Sequence, residues 1–202
     1  INDRLALRAS FQSARSNGFR ENVFLGAEDS NKRLEESLRL KMRYVAPSGL
    51  LLKGTLFRVD ADNGYDMWAP DNNEELFTYT NQPGDDHQTT TAASIRAEKL
   101  FTNSLNIISI STYSQTDLDY SYDGDWGNDS YWLGEPYLFN PDAEGYSYDF
   151  FDRTKRERTS WSQELRLESG VALLGVYARS ISEQDDAAGY LFGGSSTDLQ
   201  AS

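Results

Sequence analysis

The sequence has no cysteine, one histidine and no long apolar run. Without cysteine the chain can form neither a disulfide scaffold nor a thiolate metal site. The lone imidazole of His87 makes a poor metal site and belongs to no Ser/His/Asp constellation, so we expect it on a surface loop and expect no enzymatic activity. The absence of eighteen consecutive apolar residues excludes a transmembrane helix. It does not exclude a membrane β-barrel, whose strands hide their hydrophobicity by alternation.

Positive charge is also scarce, with 19 basic against 32 acidic residues and a net charge of -13. Because a phosphate backbone needs a basic surface, nucleic acid is not an expected partner. Aromatic residues are abundant: they make up 13% of a chain whose mean hydropathy is -0.65. A soluble chain of 202 residues would be one domain or two small ones, and it is long enough to bury a real core.

Segments of alternating polar and apolar residues predict strands that each have one apolar face. The last two, joined by Ser169 and Gly170, predict a hairpin with a two-residue turn. Its apolar face would carry Leu165 and Leu167 on one strand, and Leu174 and Val176 on the other. A further strand carries Ile108 and Ile110 on one face. The seven predicted strands are 4–15, 36–45, 50–62, 89–99, 106–115, 162–168 and 171–180.

The connections between these strands alternate strictly between short and long. In a meander, every long connection then lies at the same end of the sheet, as expected for an outer-membrane barrel with short periplasmic turns and long extracellular loops. The predicted fold is therefore all-β, an antiparallel meander of about seven strands that forms part of a large outer-membrane β-barrel. The alternatives are a soluble antiparallel sandwich and a small self-contained barrel. The short connections are 46–49, 101–104 and 169–170, the long ones are 16–33, 63–88 and 116–154, and a Gly- and Ser-rich tail follows from 183.

A barrel register would place the charged positions of the strands on the inside. Arg or Lys facing lipid at mid-depth would cost about 2–4 kcal/mol each, so this cost fixes the register. The residues predicted to face a wet lumen are Arg39, Lys41, Arg43, Arg96, Glu98, Glu164, Arg166 and Glu168.

Several runs resemble the barrel portion of TonB-dependent outer-membrane receptors. They are DRLALRASFQ at 3–12, GFRENVFLG at 18–26, NGYDMWAPD at 63–71, NQPGDDHQ at 81–88, SQELRLES at 162–169 and LLGVY at 173–177. In that family a plug domain sits inside a 22-stranded barrel. The resemblance implies that residues 1–202 are a partial barrel, roughly a third of the whole. No plug domain or energy-coupling box accompanies it, so we expect an excised piece of a longer chain.

The resemblance also implies a function and a location. The protein would sit in the outer membrane of a Gram-negative cell with its long loops outside, and would take up a scarce nutrient, for which we expect a ferric siderophore. Its partners would be outer-membrane lipid, the TonB complex through the missing plug region, and a small-molecule chelate or other nutrient ligand. The alternative function is that of a soluble secreted β-sandwich that binds carbohydrate through aromatic loops.

Exposed aromatic residues interleaved with carboxylates suit the recognition of sugars, aromatic chelators or cationic ligands. The alternative is that these aromatic side chains pack the loops against their neighbours. The candidate ligand-binding residues are Tyr65, Asp66, Trp68, Tyr120, Tyr122, Trp126, Tyr131 and Trp132.

An acidic run in the last long loop offers oxygen ligands of the kind that Ca²⁺ prefers. Its spacing does not match the helix-loop-helix calcium pattern, so we favour a solvated acidic loop and expect no cofactor and no metal. The residues of this run are Asp119, Asp123, Asp125, Asn128 and Asp129.

Overall fold

The computed structural model describes residues 3–102 and 104–192, the side chain of Thr102 excepted. The strands are β1 (Leu5–Ser16), β2 (Glu21–Asn22), β3 (Arg33–Val45), β4 (Leu51–Gly64), β5 (Phe77–Thr78), β6 (Asp85–Thr102), β7 (Leu105–Asp123), β8 (Phe150–Ser169) and β9 (Leu173–Leu191). Two short helices, α1 (Asp129–Leu133) and α2 (Pro141–Glu144), lie between β7 and β8. No helix among the described residues is long and apolar enough to cross a membrane.

Seven of these strands form one antiparallel sheet in the order β1-β3-β4-β6-β7-β8-β9, which confirms the predicted all-β meander. The sheet is open, with β1 and β9 as its edges. Because consecutive strands are antiparallel neighbours, the long connections 17–32, 65–84 and 124–149 all lie at one end, which we call the loop end. The short connections lie at the opposite turn end. Of the sequence predictions, Asn103 in the second turn and the part of the tail beyond Phe192 lie outside the described residues.

The strands extend much further toward the loop end than alternation predicted. β7 continues to Asp123 instead of residue 115, and β8 begins at Phe150 instead of residue 162. The predicted tail from 183 is strand as far as Leu191. The ladder continues because backbone hydrogen bonds do not require an apolar face, and both faces of β8 are polar from Asp152 to Ser160. His87 consequently lies exposed in β6 and not on a loop.

The predicted two-residue turn of the last hairpin is also wrong. β8 ends at Ser169 and β9 begins at Leu173, so three residues connect them. The Ser169 hydroxyl accepts the backbone N–H groups of Val171 and Ala172, while the Ser169 N–H donates to the Ala172 carbonyl at 2.8 Å. This local network uses Val171 and Ala172 as turn residues, although their apolar side chains had indicated strand.

The register places all eight predicted lumen residues on one face of the sheet, which we call the charged face. Directly opposite residues share a face. Lys53 lies opposite both Arg43 and Arg96, and Ile110 lies opposite both Arg96 and Glu164. Neighbouring rows on the same face contain Arg39, Lys41, Glu98, Arg166 and Glu168.

The opposite face, which we call the apolar face, carries large exposed hydrophobic side chains in its turn-end half. Leu165 lies opposite Val176, and Leu167 lies opposite Leu174, as predicted. Gln163, which interrupts the alternation of β8, donates to the Ser109 hydroxyl on the neighbouring strand at 3.0 Å. The exposed apolar-face residues are Leu7, Phe11, Leu38, Leu40, Met42, Leu56, Ile95, Tyr113, Trp161, Leu165, Leu167, Leu174 and Val176.

The sheet has almost no conventional hydrophobic core. Among the described residues, Ile108 is the one buried apolar residue, at 2% exposure. It lies on the charged face, opposite Glu98 on one side and Arg166 on the other, and the long side chains of this face have aliphatic stems of the kind that cover apolar surface. Every buried polar residue in the described part of the chain lies at the loop end instead; these residues are Asn22, Asn31, Asn63, Asp66, Thr78, Thr80, Ser121, Asp123, Asp125 and Asn128.

Candidate ligand-binding site at the loop end

A short parallel ladder joins the first long connection to the second. β2 pairs with β5, so that Asn22 lies opposite Thr78. The fully buried Asn22 amide donates to Asp66 Oδ2 at 2.9 Å and to the Thr80 carbonyl at 3.0 Å. Its own amide oxygen accepts the Leu25 N–H at 2.9 Å. One amide side chain thus fixes both connections.

The second connection is joined to the third in the same way. The Asn128 amide donates to the Tyr79 carbonyl at 2.6 Å, while its oxygen accepts the Tyr131 N–H and begins α1. The Tyr79 and Tyr131 rings stack with centroids 4.5 Å apart. The three long connections therefore form one hydrogen-bonded layer over the loop end of the sheet.

Asp125 is saturated with hydrogen bonds from its own connection. Its Oδ1 accepts the Gly127 N–H and the Trp132 indole N–H, each at 2.9 Å, and its Oδ2 accepts the Phe150 N–H at 2.9 Å. Asp123 Oδ1 accepts the backbone N–H groups of Asp125 and Trp126. Burial and the nearby charge of Asp125 raise the pKa of Asp123 to about 8.

The structure brings the eight predicted ligand residues to the loop end in two groups. In the first group the Tyr65 ring meets Tyr120 edge-on at 4.8 Å, Tyr120 lies 5.8 Å from Tyr122, and Trp68 stacks on Trp126 at 6.0 Å. Asp66 lies beside them but is buried, so it contacts the protein interior.

The second group comprises Tyr131 and Trp132, which pack into an aromatic cluster within the third connection. Trp132 contacts Tyr131 at 5.1 Å, and both Tyr137 and Tyr148 at 4.8 Å. Both side chains are half-buried. Both rings are therefore used for packing within the third connection, and little of either ring is free to contact a ligand.

Trp68 and Trp126 differ from that cluster because they remain open to solvent. Trp68 is 55% exposed and Trp126 is 40% exposed, with an angle of 29° between the ring planes. Trp126 has a positive φ of 59°, a conformation supported by the hydrogen bond from its N–H to Asp123 Oδ1. The pair offers a rigid apolar surface of the kind on which a planar or carbohydrate ligand stacks.

The acidic run considered for Ca²⁺ does not converge on one point. Asp119 binds the Arg153 guanidinium, and Asp125 accepts three N–H groups. Asp123 accepts two backbone N–H groups through Oδ1, Asn128 begins a helix and Asp129 is exposed. Within residues 3–102 and 104–192, no group of three or more His, Asp or Glu side chains is placed to hold a metal ion.

The charged face has two electrostatically different parts. On β6–β8, Asn106 donates to Glu98 and to Glu168, each at 3.2 Å, while Arg96 binds Glu98 and Arg166 binds Glu164. On β1–β4 cations cluster without a matching set of acids, and Arg39 lies over the Phe57 ring at 4.8 Å. Two members of this cluster were not among the predicted lumen residues: Arg8, which lies opposite Lys41, and Lys53, which lies opposite Arg43.

Comparison of the chain with known protein families, with curated proteins and with solved structures finds no match.

Proposed function

We propose that this chain is part of the barrel wall of an outer-membrane receptor of the TonB-dependent type, and that the receptor takes up a scarce nutrient. For the nutrient we expect a ferric siderophore, in which the iron is cargo carried inside its chelator. The loop end would face the cell exterior and the turn end the periplasm. The protein would be a transporter and not an enzyme.

The observation that carries this proposal is a single sheet with two exposed faces of opposite character. Apart from Ile108, the described part of the chain buries no apolar side chain. A soluble protein would cover an apolar face such as that of Leu165 and Val176 with a second layer. Lipid on one side and water on the other satisfy both faces without one.

The length of the strands supports the same orientation. A tilted strand crosses a bilayer in about 9–11 residues, whereas β6–β9 each have 18 to 20. The surplus lies at the loop end, where the apolar face changes to polar residues. One row there runs from Asp60 through Thr89, Asp117 and Glu157 to Gln184. The strands would thus continue beyond the membrane and carry the loop layer above it.

The alternative function, a soluble secreted β-sandwich that binds carbohydrate, uses the same exposed Trp68–Trp126 pair. It requires a partner layer over the apolar face, and none lies among the described residues. The two proposals therefore differ at the apolar face and not at the loop end.

Membrane placement can be tested in cells that express the complete protein. After separation of outer-membrane, periplasmic and secreted fractions, peptides from this chain should be recovered in the outer-membrane fraction and should require detergent for extraction. Recovery in the secreted or periplasmic fraction without detergent would favour the sandwich.

Uptake of a siderophore can be tested separately by deletion of the gene. Growth of the deletion strain should fail on at least one ferric siderophore supplied as the sole iron source and should recover on complementation. Unimpaired growth on every siderophore tested would exclude these siderophores as the nutrient. The proposed membrane placement would not be affected, because the fractionation tests it separately.

A further inference from the structure

We infer that a small cavity beneath the Trp68–Trp126 pair binds one hard cation of the Ca²⁺ class, held by Asp66 and Asp123. The site shares Asp123, at the end of β7, with the acidic run considered above, but its other carboxylate, Asp66, comes from the second long connection and lies outside that run. It holds whether or not the protein is a transporter.

Each of the two carboxylates has one satisfied oxygen and one oxygen without a partner. Asp66 Oδ2 accepts Asn22 Nδ2 at 2.9 Å and Thr78 Oγ1 at 2.7 Å, whereas Oδ1 accepts no hydrogen bond. Asp123 Oδ1 accepts two backbone N–H groups, whereas Oδ2 accepts none. Asp66 is 1% and Asp123 4% exposed, so bulk water does not satisfy these oxygens. A buried, unsatisfied carboxylate oxygen is costly and requires a partner.

Both carboxylates line the same cavity, whose volume of about 10 Å³ admits one water-sized occupant. Its wall includes Thr80, but no Lys or Arg. A water molecule could donate to both carboxylates and is the competing occupant, but it brings no positive charge that would stabilise their ionised forms in a buried site. A cation supplies that charge.

The donor set indicates a hard, oxygen-preferring cation. With two carboxylates and no His or Cys in the wall, the remaining ligands would be neutral oxygens, such as the hydroxyl of Thr80 in the wall and water. Ca²⁺ accepts such mixed sets of carboxylate, carbonyl and water oxygens in flexible geometry.

The position of the cavity gives the cation a structural consequence for the exposed tryptophans. Asp123 Oδ1 holds the N–H of Trp126, and Asp66 lies two residues before Trp68. A cation between the carboxylates would connect the segments that carry the two stacked rings. Binding should therefore order this pair.

The test uses the complete purified protein, freed of metal with a chelator and titrated with CaCl₂. We expect a saturable increase in thermal stability and, with TbCl₃ as probe, lanthanide luminescence sensitised by excitation of the nearby tryptophans. Asp66→Asn and Asp123→Asn should each weaken Ca²⁺ binding at least tenfold. Asp129→Asn, which changes an exposed acid outside the cavity, should bind as the unsubstituted protein does.

Two results would overturn the inference. One is the absence of a saturable Ca²⁺ response in the unsubstituted protein at millimolar concentration, which would assign the cavity to water and does not depend on how any variant folds. The other is unchanged Ca²⁺ affinity in both Asp66→Asn and Asp123→Asn. Neither result would alter the outer-membrane fractionation, so failure here is distinguishable from failure of the proposed function.

Discussion

Tyr113 on β7 lies directly opposite Trp161 on β8, and both aromatic rings are exposed on the apolar face. The same row contains Leu56 and Ala93. The next row toward the loop end is polar on β4–β8, with Arg58, Thr91, Gln115 and Thr159, and remains apolar on β1 and β3, with Phe11 and Leu38. Tyr and Trp are characteristic of the boundary between lipid and water in barrel walls. In the proposed orientation, this row therefore lies at the external surface of the membrane.

Trp161 should contact lipid if that boundary is correct. In vesicles containing brominated lipid, the tryptophan fluorescence of the protein should be partly quenched, and Trp161→Phe should remove most of the quenching. Trp68→Phe is the matched control, since Trp68 lies in the loop layer and its loss should leave lipid quenching unchanged. Equal effects of the two substitutions would place the boundary elsewhere.

Periodicity predicted the existence of all seven strands, but it could not predict where most of them end. Alternation identifies a strand only while one face is apolar, as from Leu165 to Leu167. In β8 both faces are polar from Asp152 to Ser160, so the pattern is lost there although the pairing is not. In β7 the alternation does continue beyond residue 115, because Leu118, Tyr120 and Tyr122 alternate with acidic residues and Ser121, and the predicted end of this strand missed that signal.

The face of the sheet on which each β7 residue lies could likewise not be predicted from the sequence of β7 alone. Ile108 and Ile110 share a face as predicted, but it is the charged face, because they lie opposite Arg166 and Glu164. The candidate ligand residues were identified because aromatic and acidic residues alternate in their segments. The separation of the open Trp68–Trp126 pair from the packed Tyr131 and Trp132 depends on contacts between distant connections, which no local pattern encodes.

Ile108→Ala should destabilise the sheet. Ile108 is buried between Glu98 and Arg166, whose side chains are bonded to Arg96 and Glu164, so we expect a loss of about 2–4 kcal/mol in the free energy of unfolding. Ile107→Ala is the control on the apolar face, where lipid would fill the space and the loss should be smaller. Denaturant unfolding in vesicles measures both, and similar losses would indicate that protein also covers the apolar face.

Asp119 should stabilise the loop-end ladder except at low pH. The hydrogen bond from the Arg153 guanidinium holds the pKa of Asp119 below its usual value of 3.8. The contribution is therefore complete above about pH 4 and is lost as the pH falls through the lowered pKa. Because the pair is partly exposed, Asp119→Asn should cost about 0.5–1 kcal/mol near pH 7.

Denaturant unfolding of Asp119→Asn and of the unsubstituted protein as a function of pH measures this difference. It should be constant from about pH 5 to 7 and should shrink toward pH 3. A difference that instead grew with falling pH would contradict the assigned ion pair.

Trp126→Ala should weaken ligand binding more than it weakens the fold. Loss of one stacking surface of the exposed pair corresponds to about 1–1.5 kcal/mol, or about a tenfold lower affinity. The control is Tyr137→Phe, which alters the aromatic cluster of the third connection and should leave ligand affinity unchanged. Equal affinities for Trp126→Ala and the unsubstituted protein would remove the pair from the binding surface.

The most direct test of a barrel wall is a cysteine scan of residues 160–168 in β8. The chain contains no cysteine of its own, so no other residue of this chain would be labelled. The complete protein is labelled in outer membranes with a water-soluble maleimide. We expect labelling at even positions, including Glu164→Cys and Arg166→Cys, and protection at odd positions, including Leu165→Cys and Leu167→Cys. Equal labelling at odd and even positions, or protection of the even ones, would contradict a wall with lipid on one face and water on the other.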